Sequence, residues 1–231
     1  AKYGSTAEEI QEKLEQKRKR LDQLEHFDQT REQMEREQEA CRKELEELCG
    51  QLSQVRREAA GVLAEKIRRG LEDLNFMDVR FSMELRRLPQ FTASGYDEAE
   101  FLISTNPGQP ERPLGQVASG GELSRVMLAI KAVLVDTDDI PTLIFDEIDT
   151  GISGRTAQKV SEKLAYIAAG HQVICITHLP QIAAMADAHF EISKAAEDGS
   201  TSTAIRKLNR EQMVAELARL LGGARITDAV Y

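Results

Sequence analysis

Two adjacent carboxylates, Asp146 and Glu147, directly follow the apolar run Leu143-Ile144-Phe145. A short apolar run that ends in charge is typical of a buried parallel strand whose carboxyl end opens onto a site. In that position Asp146 could hold a Mg²⁺ ion, directly or through water, while Glu147 orients a water molecule for attack on a phosphate. Taken alone, the pair is equally consistent with an acidic helix cap after an ordinary core strand.

A second group of residues could bind the phosphate itself. Ser119, Gly120 and Gly121 directly precede an apolar helical pattern that continues to about Val135. A helix amino terminus offers unpaired N–H groups and the positive end of the helix dipole, and glycines let a phosphate approach closely. The alternative is that Ser119 is only an N-cap and the glycines only form a turn.

His178 follows a second buried strand, predicted over residues 172–177. The segment from Gly154 to about Ala168 has the apolar spacing of a helix, so strand, helix and strand predict a right-handed parallel unit. This unit places His178 at the same sheet edge as Asp146 and Glu147. A single histidine at a strand end can also be purely structural, so its role depends on those neighbours.

The remaining pattern surrounds this unit with smaller elements. Alternation of apolar and polar residues predicts strands at 79–85 and 100–104, with a turn at 93–97. A proline-rich loop at 106–113 leads to the Ser119 segment. After His178 we expect a short helix at 180–186, a hairpin of strands at 189–192 and 203–208, and a final helix at 210–221.

The first 70 residues predict one very long helix, because residues 7–69 contain no proline and only two glycines. Apolar residues alternate spacings of four and three, as in a coiled-coil seam: Cys41, Leu45, Leu48, Leu52, Val55, Ala59 and Val62. An earlier seam is out of phase with this one, which predicts an overwound or broken helix near residues 25–33. We therefore divide the chain into a coiled-coil helix at 1–70 and a globular lobe at 71–231. The seam requires a partner helix, and the chain has no second long heptad segment.

The composition excludes some classes of function. The net charge is −9, so no global basic field attracts the chain to nucleic acid or to a membrane surface. No apolar run approaches the length of a membrane span, and no signal peptide is recognisable. The three cysteines lack metal-like spacing and are interpreted as small apolar residues in a reducing compartment, which predicts a cytoplasmic protein.

The order of these motifs resembles that of the ABC-type ATPases. Ser119-Gly120-Gly121-Glu122 resembles their signature motif, Leu143–Glu147 resembles a Walker B strand with its catalytic glutamate, and His178 resembles the switch histidine. The chain resembles the RecN family of bacterial SMC-like DNA repair ATPases in two respects. A long coiled coil precedes the head, and the residues of four segments match the family pattern: 106–108, 117–125, 146–154 and 177–181. The resemblance is dense over residues 100–222 and covers the long helix by architecture only.

This resemblance implies an α/β fold, the C-terminal lobe of an ABC/SMC-type P-loop NTPase head with a long N-terminal coiled-coil helix. It also implies that ATP and Mg²⁺ are bound between two heads of a homodimer, in an enzyme that holds or tethers DNA at double-strand breaks near the nucleoid. The implied metal ligand is Asp146, and the implied catalytic residues are Glu147 and His178. The residues implied to contact the nucleotide are Ser119, Gly120, Gly121, Glu122 and Asp149. The role of Asp149 stays open, because many ABC proteins carry their second aspartate near position 153 instead.

The sequence contains no G-x-x-x-x-G-K-[ST] phosphate loop. The resemblance then implies that the chain is one half of a split head, whose partner is an amino-terminal lobe with that loop and the ascending helix of the coiled coil. We expect little or no ATP hydrolysis by this chain alone. Two alternatives are the nucleotide-binding subunit of another ABC-type ATPase, such as a transporter, and a structural coiled-coil protein with an inactive nucleotide fold. The long heptad segment argues against the first, and the intact Asp146-Glu147 pair with His178 argues against the second.

Overall fold

The computed structural model describes residues 6–116, 120–137, 139–197 and 200–222. Contacts divide the chain into two compact units. One comprises the chain up to Arg56 together with Arg87–Asp97, and the other comprises Arg57–Arg86 together with the chain from Glu98 onwards. Over the ranges that the structure describes, no helix combines the length and the apolar character that a membrane span requires.

Two consecutive helices form the amino-terminal part, α1 (Ala7–Glu25) and α2 (Phe27–Asp73). Thr6 caps α1 by accepting the N–H of Glu9. His26 separates the helices, and its N–H still bonds the carbonyl of Asp22 at 3.1 Å. The interruption is therefore local, and it lies within the range 25–33 where the change of heptad phase predicts one.

In the first unit, α2 has two faces of different character. Cys49 and Ser53 are buried on one face, under the tip of a β-hairpin. The predicted seam lies on exposed surface, where Leu45, Leu48, Leu52 and Val55 are 39% to 62% exposed. Further along the same helix, Ala59 and Val62 are exposed as well. Leu52 lies beside Gly95 of the hairpin, but most of the seam surface is left uncovered by the part of the chain that the structure describes.

Three strands follow α2: β1 (Arg80–Thr92), β2 (Gly95–Ser104) and the short β3 (Arg112–Pro113), in the sheet order β1-β2-β3. The turn predicted at 93–97 is shorter than expected. Gly95 already belongs to β2, because its φ of +96° lets the chain reverse over Ala93 and Ser94 alone. The proline-rich loop is also not wholly irregular, since Pro113 pairs with Leu102 at the sheet edge, where a missing N–H costs nothing.

The centre of the second unit is the predicted strand–helix–strand unit. Helix α3 (Gly120–Leu134) precedes β4 (Thr142–Phe145), α4 (Gly154–Ala168) and β5 (Gln172–Cys175). Strands β4 and β5 are parallel and in register from Thr142 opposite Gln172 to Phe145 opposite Cys175. Strand β5 ends two residues earlier than predicted, because Thr177 and His178 leave the ladder and bond to Asp149.

The last part of the chain consists of α5 (Pro180–Ala183), the antiparallel hairpin of β6 (Phe190–Glu197) and β7 (Ser200–Lys207), and α6 (Arg210–Gly222). The hairpin and the final helix confirm the predictions, with both strands longer than expected. Helix α5 is shorter than expected, and the chain from Ala184 to Ala186 forms turns instead.

The core of the second unit packs α2, α3 and α4 against one face of the β4–β5 sheet. Its fully buried side chains include Ile67, Leu71, Val126, Leu128, Ile148, Val160 and Ile167. On the sheet, Leu143, Phe145, Val173 and Cys175 join this core. The alternate residues Ile144, Ile174 and Ile176 are exposed. Parallel sheets are normally covered on both faces, so this face lacks a covering layer in the described part of the chain.

Candidate functional site

The carboxylate of Glu147 lies directly against the amino terminus of α3. A Cβ added to Gly120 would overlap Oε2 of Glu147, and a Cβ added to Gly121 would come within 3.0 Å of the Glu147 carbonyl and 2.8 Å of the Thr150 Cβ. The positive end of the helix dipole favours a carboxylate at this place. The absence of side chains at both glycines therefore lets the loop after β4 pack onto the start of α3.

The backbone of this loop is held in an uncommon shape. Glu147 has a φ of +56°, in the left-handed region that residues other than glycine rarely occupy. Oδ1 of Asp146 accepts the N–H of Glu147 at 2.8 Å, and Ser124 donates its hydroxyl to the Asp146 carbonyl at 2.7 Å. Strained conformations that the surroundings maintain are concentrated at functional sites. Here the strain turns the Glu147 side chain toward α3.

A magnesium ion and a nucleotide fit the chemistry of these residues. Asp146 and Glu147 are both exposed, so their oxygens are accessible to a cation. Among the residues that the structure describes, no three His, Cys, Asp or Glu side chains are grouped as a metal cage. Magnesium is usually held by one or two carboxylates together with water and substrate phosphates, and a single exposed pair meets that requirement.

Asp149 and His178 are brought together at the same edge of the sheet. Oδ2 of Asp149 accepts the Thr177 hydroxyl at 2.6 Å and the His178 N–H at 2.8 Å, and Nδ1 of the His178 ring lies 2.9 Å from the same oxygen. Asp149 is only 5% exposed, whereas the His178 side chain is 74% exposed. Burial alone raises the pKa of the Asp149 carboxyl, but the Thr177 hydroxyl, the His178 N–H and the His178 charge outweigh it, and the net pKa is lowered.

Arg125 connects α3 to the loop that carries these groups. Its side chain is buried, with Nη1 donating to the carbonyls of Thr150 at 2.9 Å and Ile148 at 3.4 Å. The guanidinium also lies over the Phe76 ring, 5.5 Å from its centroid. Burial lowers the pKa of Arg125, and the charge of Glu122 opposes this change.

Sequence reasoning did not assign roles to Arg125 or Thr177. For Arg125 a signal was available: it stands four residues after Gly121, immediately before the apolar run of α3, and therefore on the face that packs into the core. Thr177 offered only its position next to His178. Cys175 beneath them is no nucleophile at neutral pH, because burial and the charges of Asp149 and Asp146 raise the pKa of its thiol to about 11.

The predicted site residues thus form two groups, and the loop after β4 contributes residues to both of them. Gly120 and Gly121 meet Glu147, with Asp146 beside it, and Asp149 meets His178. Glu122 is half-buried in the first turn of α3. Ser119 lies outside the residues that the structure describes. Together these groups present an exposed acid pair, a helix amino terminus and an oriented imidazole at the carboxyl end of a parallel sheet, an arrangement suited to a phosphate ester.

No family model matches the chain. Among curated proteins, "DNA repair protein RecN" of Bacillus subtilis is 40% identical and aligns with 98% of this chain and 42% of its own length. The protein of the same name from Halalkalibacterium halodurans is also 40% identical, over 98% of this chain and 41% of its own length. The chain thus spans about two fifths of the length of the curated relatives that it matches.

A solved structure gives the same result for the fold. The Smc head domain with a coiled coil and joint derived from Pyrococcus yayanosii superimposes with a TM-score of 0.56 and 19% identity, covering 92% of this chain and 38% of that chain. This likeness confirms the predicted α/β head lobe with a coiled-coil helix. Several RecN relatives between 35% and 40% identical cover 96% to 98% of the chain. The chain belongs to the RecN family and matches its carboxyl-terminal half.

Proposed function

We propose that this chain is the carboxyl-terminal part of an SMC-like ATPase that acts in DNA double-strand break repair and recombination. Residues 1–70 serve as one helix of a coiled coil, and residues 71–231 form the C-terminal lobe of the ATPase head. The observation that carries the proposal is the loop after β4, where Glu147 lies against the amino terminus of α3 and Asp149 holds His178. The relatives' name supports the role in DNA repair.

The chain's own residues divide the work of hydrolysis. Asp146 would hold Mg²⁺, which supplies charge neutralisation at the phosphates when bound. Glu147 orients the attacking water and accepts its proton, and His178 presents Nε2 to the terminal phosphate. Ser119, Gly120, Gly121 and Glu122 close over the nucleotide of a second head. Catalysis of this kind depends mainly on positioning and on charge stabilisation, which a loop fixed by Ser124 and Arg125 provides.

Two uncovered apolar surfaces support the proposed partners. The exposed face of the β4–β5 sheet, with Ile144, Ile174 and Ile176, suits an amino-terminal lobe that carries the missing phosphate loop. The exposed seam of α2 suits the ascending helix of an antiparallel coiled coil. The further proposed partners are a second head and DNA, in the bacterial cytoplasm at the nucleoid, and we propose no membrane partner.

The substitution Glu147→Gln in the full-length protein tests the proposal. The amide keeps the size of the side chain but accepts no proton, so we expect ATP turnover to fall by about 10² to 10⁴ while ATP binding is retained. The nucleotide-bound head dimer should then accumulate, which sedimentation velocity with and without Mg-ATP measures. Glu84→Gln, which makes the same change at an exposed residue of β1, is the matched control.

The result that contradicts the proposal is undiminished turnover in the Glu147→Gln protein. A second arm uses the chain by itself, for which we expect no magnesium-dependent hydrolysis above background. Adding the separately produced amino-terminal half should restore turnover. Robust hydrolysis by the chain alone would show that the head is not split in this way.

A further inference from the structure

Asp149 is the most highly bonded carboxylate among those that the structure describes at the sheet edge. One oxygen, Oδ2, accepts the Thr177 hydroxyl and the His178 backbone N–H, and it lies 2.9 Å from Nδ1 of the His178 ring. Thr177 in turn accepts the N–H of Leu179 on its hydroxyl at 3.0 Å. Hydrogen bonds to Oδ2 of Asp149 and to the Thr177 hydroxyl therefore hold the turn from Thr177 to Leu179.

This geometry determines which ring nitrogen of His178 is available. Nδ1 is the ring nitrogen that lies 2.9 Å from the Asp149 carboxylate, and a proton on Nδ1 avoids placing its lone pair against the negative charge. Nε2 is then the nitrogen that the exposed imidazole presents to a ligand. An exposed ring without such a partner would sample several rotamers and both neutral tautomers, and only one combination would direct Nε2 at a phosphate.

Asp149 itself is badly placed to contact a nucleotide. Its side chain is 5% exposed, and Oδ2 already accepts two hydrogen bonds and faces the His178 ring at 2.9 Å. The loop that carries it is fastened from behind by Arg125, which bonds the carbonyls on both sides, at Ile148 and Thr150. The carboxylate is therefore held rigidly, and it faces the His178 turn.

We propose that Asp149 is a positioning residue that acts through His178, holding the imidazole in the Nδ1–H tautomer with Nε2 directed at the nucleotide. The inference rests on the proposed function, because His178 needs this orientation only if it meets a phosphate. It assigns Asp149 a role different from direct nucleotide contact. It also assigns a positioning role to Thr177, whose hydroxyl donates to the same Asp149 oxygen.

The test uses the full-length protein and a double-mutant cycle. We expect Asp149→Asn to lower kcat about tenfold, the effect typical of a residue that orients a functional group, with little change in KM. In a His178→Ala background, Asp149→Asn should cost nothing further, because there is no imidazole left to orient. Asp187→Asn, an exposed residue with the same change of charge, is the control.

Hydrogen exchange gives a readout that does not depend on ATP turnover. Without nucleotide, Asp149→Asn should increase exchange at the His178 and Leu179 amides at least tenfold and leave β6 and β7 unchanged. If Asp149→Asn does not fold, Thr177→Val replaces it, and Thr177→Ser, which retains the hydroxyl, should restore wild-type exchange and turnover.

Three results would overturn the inference. They are unchanged exchange at the His178 and Leu179 amides, an Asp149→Asn effect that persists undiminished in the His178→Ala background, and full turnover in His178→Ala itself. Failure of the proposed function looks different, since the wild-type protein would then show no magnesium-dependent hydrolysis. In that case the exchange measurement alone decides whether Asp149 holds the turn.

Discussion

At the scale of single residues, the two glycines at the start of α3 meet different kinds of neighbour. The space that a side chain at Gly120 would enter is occupied by the end of the Glu147 side chain. The space at Gly121 is bounded by the Thr150 Cβ at 2.8 Å and by the carbonyls of Glu147 and Thr150 at 3.0 and 3.1 Å. A flexible carboxylate can move aside at little cost, whereas a backbone turn that Arg125 holds at Ile148 and Thr150 cannot.

This difference predicts that Gly120→Ala affects mainly activity, whereas Gly121→Ala affects stability as well. Gly120→Ala should leave the free energy of unfolding within about 0.5 kcal/mol of wild type, because only the Glu147 carboxylate has to move. It should nevertheless lower ATP turnover of the full-length protein about a hundredfold, since a displacement of about 1 Å at a reacting group has that effect. Denaturant titration and steady-state kinetics on the same samples measure both quantities.

Gly121→Ala should instead lower the free energy of unfolding by about 1 to 3 kcal/mol, the usual cost of overpacking, and also reduce turnover. Gly115→Ala is the matched control, because an added Cβ there meets nothing within 4 Å. Equal stability losses in the two variants would contradict the packing that we describe around Gly120 and Gly121.

Some site residues could be predicted from the sequence because their signals are local. Asp146 and Glu147 end an apolar run, and Gly120 opens a helical pattern. The bonds of Asp149 could not be predicted in the same way, because Thr177 and His178 are 28 and 29 positions away. Arg125 has a local signal in its position four residues after Gly121, but the carbonyls that it bonds, at Ile148 and Thr150, are 23 and 25 positions away.

At the scale of elements, the hairpin tip of β1 and β2 is fastened to α2 by polar contacts within the first unit. The Asp97 side chain is 4% exposed and accepts the Ser53 hydroxyl at 2.8 Å and Nη1 of Arg56 at 3.1 Å. Arg56 also donates to the Ser94 carbonyl at 2.8 Å. Arg87 lies over the Tyr96 ring and pairs with Glu46 on the helix. The tip is therefore tied to α2 at several points.

Removing the buried carboxylate should release this tip. We expect Asp97→Ala to destabilise the docked hairpin by about 2 kcal/mol, below the usual cost of breaking a buried pair because Arg56 is one-third exposed and partly screened by solvent. Hydrogen exchange over residues 87–97 measures this local opening, and about a thirtyfold faster exchange corresponds to that free energy.

The exposed pair of Arg86 with Glu100 provides the control for this prediction. Glu100→Gln should change exchange at the hairpin by less than a factor of about five, since exposed ion pairs contribute at most about 1 kcal/mol. An Asp97→Ala protein with the exchange rates of wild type would show that the Ser53 and Arg56 contacts do not hold the tip.

The elements differ in how well the sequence predicted them. The bounds of α4 at Gly154 and Ala168 and the pairing of β4 with β5 follow from uninterrupted apolar patterns. For the β1–β2 hairpin the sequence predicts only two short strands, at 79–85 and 100–104, because the outer part of the hairpin is polar. The outer part of the β1–β2 hairpin contacts α2 through Asp97, which bonds Ser53 and Arg56 more than 40 positions away. No local sequence pattern reveals such contacts.

At the scale of the whole molecule, the heptad pattern of α2 corresponds to an exposed surface of the helix and not to a packing contact within the described residues. Within the first unit, Cys49 and Ser53 are buried on one face of α2, whereas the seam residues Leu48 and Leu52 are 54% and 39% exposed. A helix with two apolar faces has two packing partners, and the chain supplies only the first within its described residues. The periodic spacing indicates that the seam needs a partner, and the partner that we propose for it is the ascending helix of the amino-terminal half.

The seam can be tested through the partner that we propose for it. Leu48→Lys should weaken binding of this chain to the separately produced amino-terminal half, because each leucine withdrawn from water contributes about 2 kcal/mol, a factor of about thirty in the dissociation constant. Titration calorimetry measures the change. Gln54→Lys, at an exposed c position of the heptad that lies outside the seam and its flanking e and g positions, should bind like wild type. Stability of the lobe should not change in either variant, because Leu48 is exposed and lies outside the core cluster. If Leu48→Lys left binding unchanged and instead abolished self-association of this chain in sedimentation equilibrium, the seam would be occupied by a second copy of α2 and not by an ascending helix.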